Sequence, residues 1–90
     1  MTDNQKIKNT IKQQLDIPAY KIQYALTTGI LFGAYKGLKH YGIELNDETF
    51  DLFFNIVNDK LSGNTGVEYE WSEKEYEEIM NIKQFAHLQD

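Results

Sequence analysis

Apolar residues recur along most of this chain at spacings of three and four, the period of a helix with one buried face. Over 3–15, Ile7, Ile11 and Leu15 stand at i, i+4 and i+8 among lysines and glutamines, which predicts a helix with a narrow apolar stripe. A second helix is predicted over 18–41, ending at Gly42, the residue type that most readily takes the left-handed turn closing a helix. A third, 47–62, sets Phe50, Phe53, Phe54, Val57 and Leu61 on one face and ends at Gly63. The fourth, 73–88, presents Tyr76, Ile79, Met80, Lys83 and His87, with Ile82 and Phe85 to one side. SGNTG, 62–66, has loop composition. After it VEYEW, 67–71, alternates apolar and acidic residues, but no other segment offers it a strand partner. A lone strand is unstable, so 67–71 is expected to lie as a short extended segment across the helices. These readings predict an all-α fold: a single domain over 1–90 built as a compact bundle of four helices.

Three of the helix starts share one device, an apolar residue before the N-cap that packs on the fourth helical residue. Asp16 as N-cap pairs Leu15 with Tyr20, with Pro18 in the first turn, where its missing N–H costs little. Asn46 pairs Leu45 with Phe50. Ser72 pairs Trp71 with Tyr76, and Glu75 completes a reciprocal capping box with Ser72. Trp71 is therefore expected to anchor the last helix by packing on Tyr76.

The stretch TTGILFGAYKGLKHYG, 27–42, holds Gly29, Gly33 and Gly37 four residues apart. An interior glycine costs a helix about 1 kcal/mol relative to alanine, so three of them ask for a reason. With Ala25 they form a small-residue stripe on the predicted second helix. Its uncharged run between Lys21 and Lys36 is 14 residues, short of the roughly 17–25 of a membrane span. Nucleotide-binding glycines sit in a loop between strand and helix, which this spacing is not. The stripe is thus expected to let another helix approach closely, either the Ile7/Ile11/Leu15 ridge or a second copy. On that reading Gly33→Leu would overpack a seam.

Composition narrows the chemistry. The chain has no cysteine, so disulfides, thiol nucleophiles and cysteine-ligated zinc are out, in keeping with a reducing, cytoplasmic setting. The opening MTDNQKIKNTIKQQ has no apolar run, so no signal peptide is expected. All nine basic residues are lysine. Without arginine's bidentate fork, direct nucleic-acid binding is disfavoured. His40 and Glu44 straddle Gly42, and His87 stands near a helix end where a cation suits the dipole. Asp59–Glu70 has calcium-loop length, but Leu61 and Gly63 occupy positions that need oxygen ligands. No cofactor, metal or enzymatic site is implied.

Charge divides along the chain. Residues 1–41 carry six lysines against Asp3 and Asp16, a balance of +4; residues 42–90 carry three against twelve acids, −9. In EYEWSEKEYEE, 68–78, six glutamates interleave with Tyr69, Trp71 and Tyr76. Tyrosine and tryptophan are enriched among interface anchors, and clustered carboxylates steer basic partners. Glu68, Tyr69, Glu70, Glu73 and Glu77, extended by Asp47 and Asp51, are the candidate partner-binding residues. The function expected is non-enzymatic: an acidic protein that binds a basic, nucleic-acid-handling protein as an inhibitor or antagonist. Immunity proteins, antitoxins and phage anti-defence proteins are analogous in size and charge. The alternative is a homo-oligomeric structural or small-ligand-binding helical bundle assembled through the Gly29/Gly33/Gly37 stripe, with Ala25, Gly29, Gly33 and Gly37 as the helix-packing or dimer seam.

Overall fold

The computed structural model describes residues 3–63 and 67–88, with side chains described over 4–63 and 67–85. Among the described residues five α-helices follow one another: α1 (Asp3–Gln14), α2 (Ala19–Thr28), α3 (Ile30–Gly37), α4 (Asp47–Ser62) and α5 (Glu73–Leu88). A 3₁₀ turn, Leu38–Tyr41, extends α3, and no strand occurs among the described residues.

The predicted bounds of α1 hold to within a residue, and those of α4 and α5 hold as read. The capping chemistry explains why. Asn46 stands in extended backbone and its side-chain oxygen accepts from Thr49 N at 2.9 Å, satisfying one orphan donor of the first turn. Leu45 and Phe50, its expected staple, are both buried. At α5, Ser72 N donates to Glu75 Oε1 (3.0 Å) while Glu75 N donates to Ser72 Oγ (3.2 Å). This is the reciprocal box read from the sequence.

The single helix expected over 18–41 is instead two. Gly29 sits at φ 77°, ψ 3° and serves as C-cap of α2 and N-cap of α3. The core demands the break. Ile22, Ala25 and Leu26 are the buried positions of α2; Leu31, Tyr35 and Leu38 are those that follow. Ile22 and Leu31 are nine residues apart, which at 100° per residue leaves them half a turn out of phase. One straight helix would point one of these sets at solvent. A glycine at positive φ re-aims the chain so that both face inward.

The glycine stripe therefore does not exist as an intramolecular groove. Ala25 is buried, but Gly29 is the hinge itself, and a Cβ added to Gly33 or Gly37 would meet nothing within 4 Å. Gly33 is exposed, so Gly33→Leu overpacks nothing within the chain. The α1 ridge packs elsewhere: Ile11 and Leu15 are fully buried and α1 lies against α4.

The first expected cap also fails. Helix α2 starts one residue after Pro18, Asp16 caps nothing, and Tyr20 is 68% exposed rather than stapled to Leu15. The core is completed by Phe53, T-shaped to Tyr35 at 5.0 Å, and by Ile79 and Ile82 of α5. The buried face of α5 is thus Glu75, Ile79 and Ile82, turned from the Tyr76-centred face expected; Tyr76 is 53% exposed. Residues 64–66 of the predicted loop and the His87 side chain lie outside the described residues.

Candidate docking surface

Residues 67–72 form an irregular strap between α4 and α5, and its own side chains fix its path. Tyr69 N donates to Ser62 Oγ at 3.1 Å, at the end of α4. The Tyr69 hydroxyl donates to Glu75 Oε2 at 2.7 Å and accepts from Gln23 Nε2 at 2.9 Å. One phenol thereby joins α2, the strap and α5. Trp71 stacks on Phe54 of α4, with centroids 5.2 Å apart and planes 13° from parallel, and donates from Nε1 to Asn58 Oδ1 at 3.0 Å. Phe54 and Asn58, four apart, present to one side of α4, so one turn of helix supplies both the stacking ring and the acceptor.

Trp71 does anchor the start of α5, but through α4 rather than through Tyr76. The reason is geometric. The staple expected from sequence needs Tyr76 beneath the indole, whereas Phe54 offers a flat ring and Asn58 an acceptor for the N–H.

Glu75 is 3% exposed, a buried carboxylate each of whose oxygens accepts a hydrogen bond. Burial alone would raise its pKa, but hydrogen bonds from Tyr69 and Ser72 outweigh this and hold it below the usual carboxylate value. The same pair pushes Tyr69 the other way. Burial, then the bond to Glu75 and its charge, raise the Tyr69 hydroxyl to about 12. Burial, helped by the charge of Asp47, raises Tyr35 to about 12 as well. Among the described residues no buried side-chain polar atom lacks a partner.

Around this fixed frame the carboxylates of Glu68, Glu70, Glu73, Glu77, Asp47 and Asp51 are exposed. They do not merge into one cluster. Trp71, just before α5, meets Phe54 and Asn58, whereas Lys83, further along α5, lies with Nζ 5.8 Å from the Phe50 ring centroid. Helices α4 and α5 are therefore antiparallel. Asp47 and Asp51 belong to the end of the α4–α5 groove near Lys83, while Glu70, Glu73 and Glu77 belong to the Trp71 end. Acidic groups stand at both ends of a strip centred on the stacked Phe54–Trp71 pair, with Tyr76 exposed on α5. Of the predicted partner-binding residues, only Tyr69 is drawn inward, half-buried with its hydroxyl engaged on both sides.

Gln23, Phe54 and Asn58 support this surface but carry no signal of their own in the sequence. Their roles arise where distant segments meet. Phe54 and Asn58 at i, i+4, facing a tryptophan that needs an acceptor, is the nearest thing to a clue.

No group of three or more His, Asp or Glu among the described residues is arranged to hold a metal ion, and His40 is exposed in the 3₁₀ turn. An open cleft of about 670 Å³ lies between the ends of α1 and α4, lined by Lys12, Gln13, Asp16, Ile56, Asp59 and Lys60. Its charges are mixed, and Lys60 already donates to Ile17 O at 3.4 Å. No helix among the described residues is long and apolar enough to cross a membrane. The chain matches no protein-family model, no curated protein and no solved structure.

Proposed function

We propose that this protein acts without catalysis, by docking a basic, nucleic-acid-handling protein on the acid-bracketed strip between α4 and α5. It would serve as an inhibitor or antagonist in the cytoplasm. The observation that carries the reading is the rigid Trp71–Phe54 stack with the exposed carboxylates of Glu70, Glu73 and Glu77 beside it. An aromatic anchor held before the encounter loses little side-chain entropy on binding. Carboxylates around it raise the encounter rate with a positive surface, an effect screened over about 8 Å at physiological salt.

The strap divides the roles. Tyr69 and Glu75 spend their hydrogen bonds within the chain and hold Trp71 in place. Glu68, Glu70, Glu73 and Glu77 are left for a partner, with Tyr76 as the exposed ring.

Charge reversal tests this. Glu70→Lys, Glu73→Lys and Glu77→Lys together should leave helicity unchanged, because all three are exposed, and should abolish capture of basic partners. If wild type and triple variant retain the same partners at the same salt, the acidic strip is not the working surface.

A further inference from the structure

Helices α1 and α4 run side by side in the same direction. Lys12, in the last turn of α1, shares the cleft of about 670 Å³ with Ile56, Asp59 and Lys60 of the last turns of α4. Lys6, near the start of α1, shares a smaller one with Glu44, just before α4. The C-terminal ends of both helices therefore meet at the larger cleft, whose volume is within the roughly 300–1,000 Å³ of small-molecule sites. Ile56 and Lys60 follow Phe54 and Asn58 by two residues each, roughly 200° around the helix, so the cleft opens on the far side of α4 from the Trp71 stack. Gly63 lines it without a side chain, and a Cβ there would meet nothing within 4 Å.

Both walls carry both signs of charge. One has Lys12 and, in the turn after α1, Asp16; the other has Asp59 and Lys60. Among the described residues these four side chains make no ion pair with one another. Lys60 Nζ donates to Ile17 O at 3.4 Å, which holds its head at the cleft and uses one of its three protons.

We propose that this cleft binds a short zwitterionic peptide, its ammonium between Asp16 and Asp59 and its carboxylate at Lys12 and Lys60. The mixed charge selects the ligand. An anion alone would meet two carboxylates, and a cation alone two ammoniums; a ligand with both signs meets a partner for each. The two helix ends add negative partial charge on the cleft, which favours the ammonium further. The charges stand on two walls of a cleft larger than one amino acid fills, which calls for a chain of a few residues. The site is separate from the α4–α5 strip and does not depend on that strip having a partner.

The test is titration calorimetry of the whole chain with trialanine. Wild type should bind it with a dissociation constant on the order of 100 µM. N-acetyl-trialanine, without the ammonium, and trialanine amide, without the carboxylate, should each bind about tenfold more weakly. Asp16→Asn with Asp59→Asn should bind trialanine and its acetylated form alike, and Lys12→Gln should narrow the gap between trialanine and its amide. These substitutions touch only exposed side chains, so helicity should be unchanged. No heat of binding from trialanine at a concentration about a hundredfold higher overturns the proposal. So does binding indifferent to acetylation or amidation, or a preference for the ammonium that survives loss of both aspartates.

Discussion

The start of α5 and the junction of α2 with α3 are both places where a helix is given its direction, but by opposite means. At Ser72 the direction is written in side chains: a hydroxyl, a carboxylate three residues on, and an indole that stacks on a neighbouring helix. At Gly29 there is no side chain, and the direction comes from a backbone conformation at φ 77° that only glycine takes freely. The first device is local and redundant. The second depends on one residue and on a core that needs two buried faces half a turn out of phase.

The largest effect should come from the side-chain device. Trp71→Ala removes a ring stacked on Phe54 and an N–H bonded to Asn58, and should cost roughly 3 kcal/mol or more by denaturant unfolding. Tyr76→Ala, at a 53% exposed position, should cost far less. Equal losses at the two positions would mean that the tryptophan rests on Tyr76 after all.

That asymmetry marks where sequence reading reaches and where it stops. Asn46 and the Ser72–Glu75 box are recognisable because donor and acceptor lie within four residues, and the bounds of α4 and α5 follow from them. Asp16 looks just as good a cap. It fails because Leu15 is drawn into the core and α2 begins after Pro18, with Tyr20 turned outward. The charge-free stretch 22–35 is apolar nearly all round, which suits a single buried helix. It suits equally two amphipathic helices with their faces rotated apart. Ile22 and Leu26 against Leu31 and Tyr35 carry that phase shift, and Gly29 sits between the two sets. At the docking surface the acidic residues were readable by composition. Phe54, Asn58 and Gln23 were not, since their roles exist only once α2, α4 and the strap are adjacent.

Alkaline titration probes both regions at once, because Tyr35 belongs to α3 and Tyr69 to the strap. Each is raised from the ordinary 10 to about 12, so the folded chain keeps protons that the unfolded chain releases first. Stability should be full below pH 10 and fall as pH rises from 10 through 12. Tyr69→Phe should flatten part of that fall and leave the part due to Tyr35; an unchanged slope would remove Tyr69 from the account. Glu75 mirrors this on the acid side. Its pKa is lowered, so its contribution is present at neutral pH and lost as pH drops through that lowered value.

Gly29→Ala should cost about 1–2 kcal/mol through strain at positive φ. Space is not the cause, since the added Cβ would meet only Glu78 Oε2, at an ordinary 3.9 Å. Asn46→Ala should cost about 1 kcal/mol, the loss of one cap bond to Thr49 N.

The smallest effect has the opposite sign. Gly33 lies within α3 without positive φ, is exposed, and has nothing within 4 Å of where a Cβ would stand. Gly33→Ala therefore adds no clash and no strain. It removes backbone freedom from the unfolded chain and should stabilise the protein by about 0.5–1 kcal/mol. Gly29 and Gly33 stand one helical turn apart in sequence, yet alanine should lower the melting temperature at the first and raise it at the second. The pair separates the two meanings a glycine can have here, one a hinge that the core requires and the other a gap in an exposed face. The measurement is best made well below any dimerisation concentration, so that unfolding reports the single chain. A loss of stability at Gly33 under those conditions would mean that the α3 face is covered by something within the chain, and the out-of-phase account of the Gly29 break would fall with it.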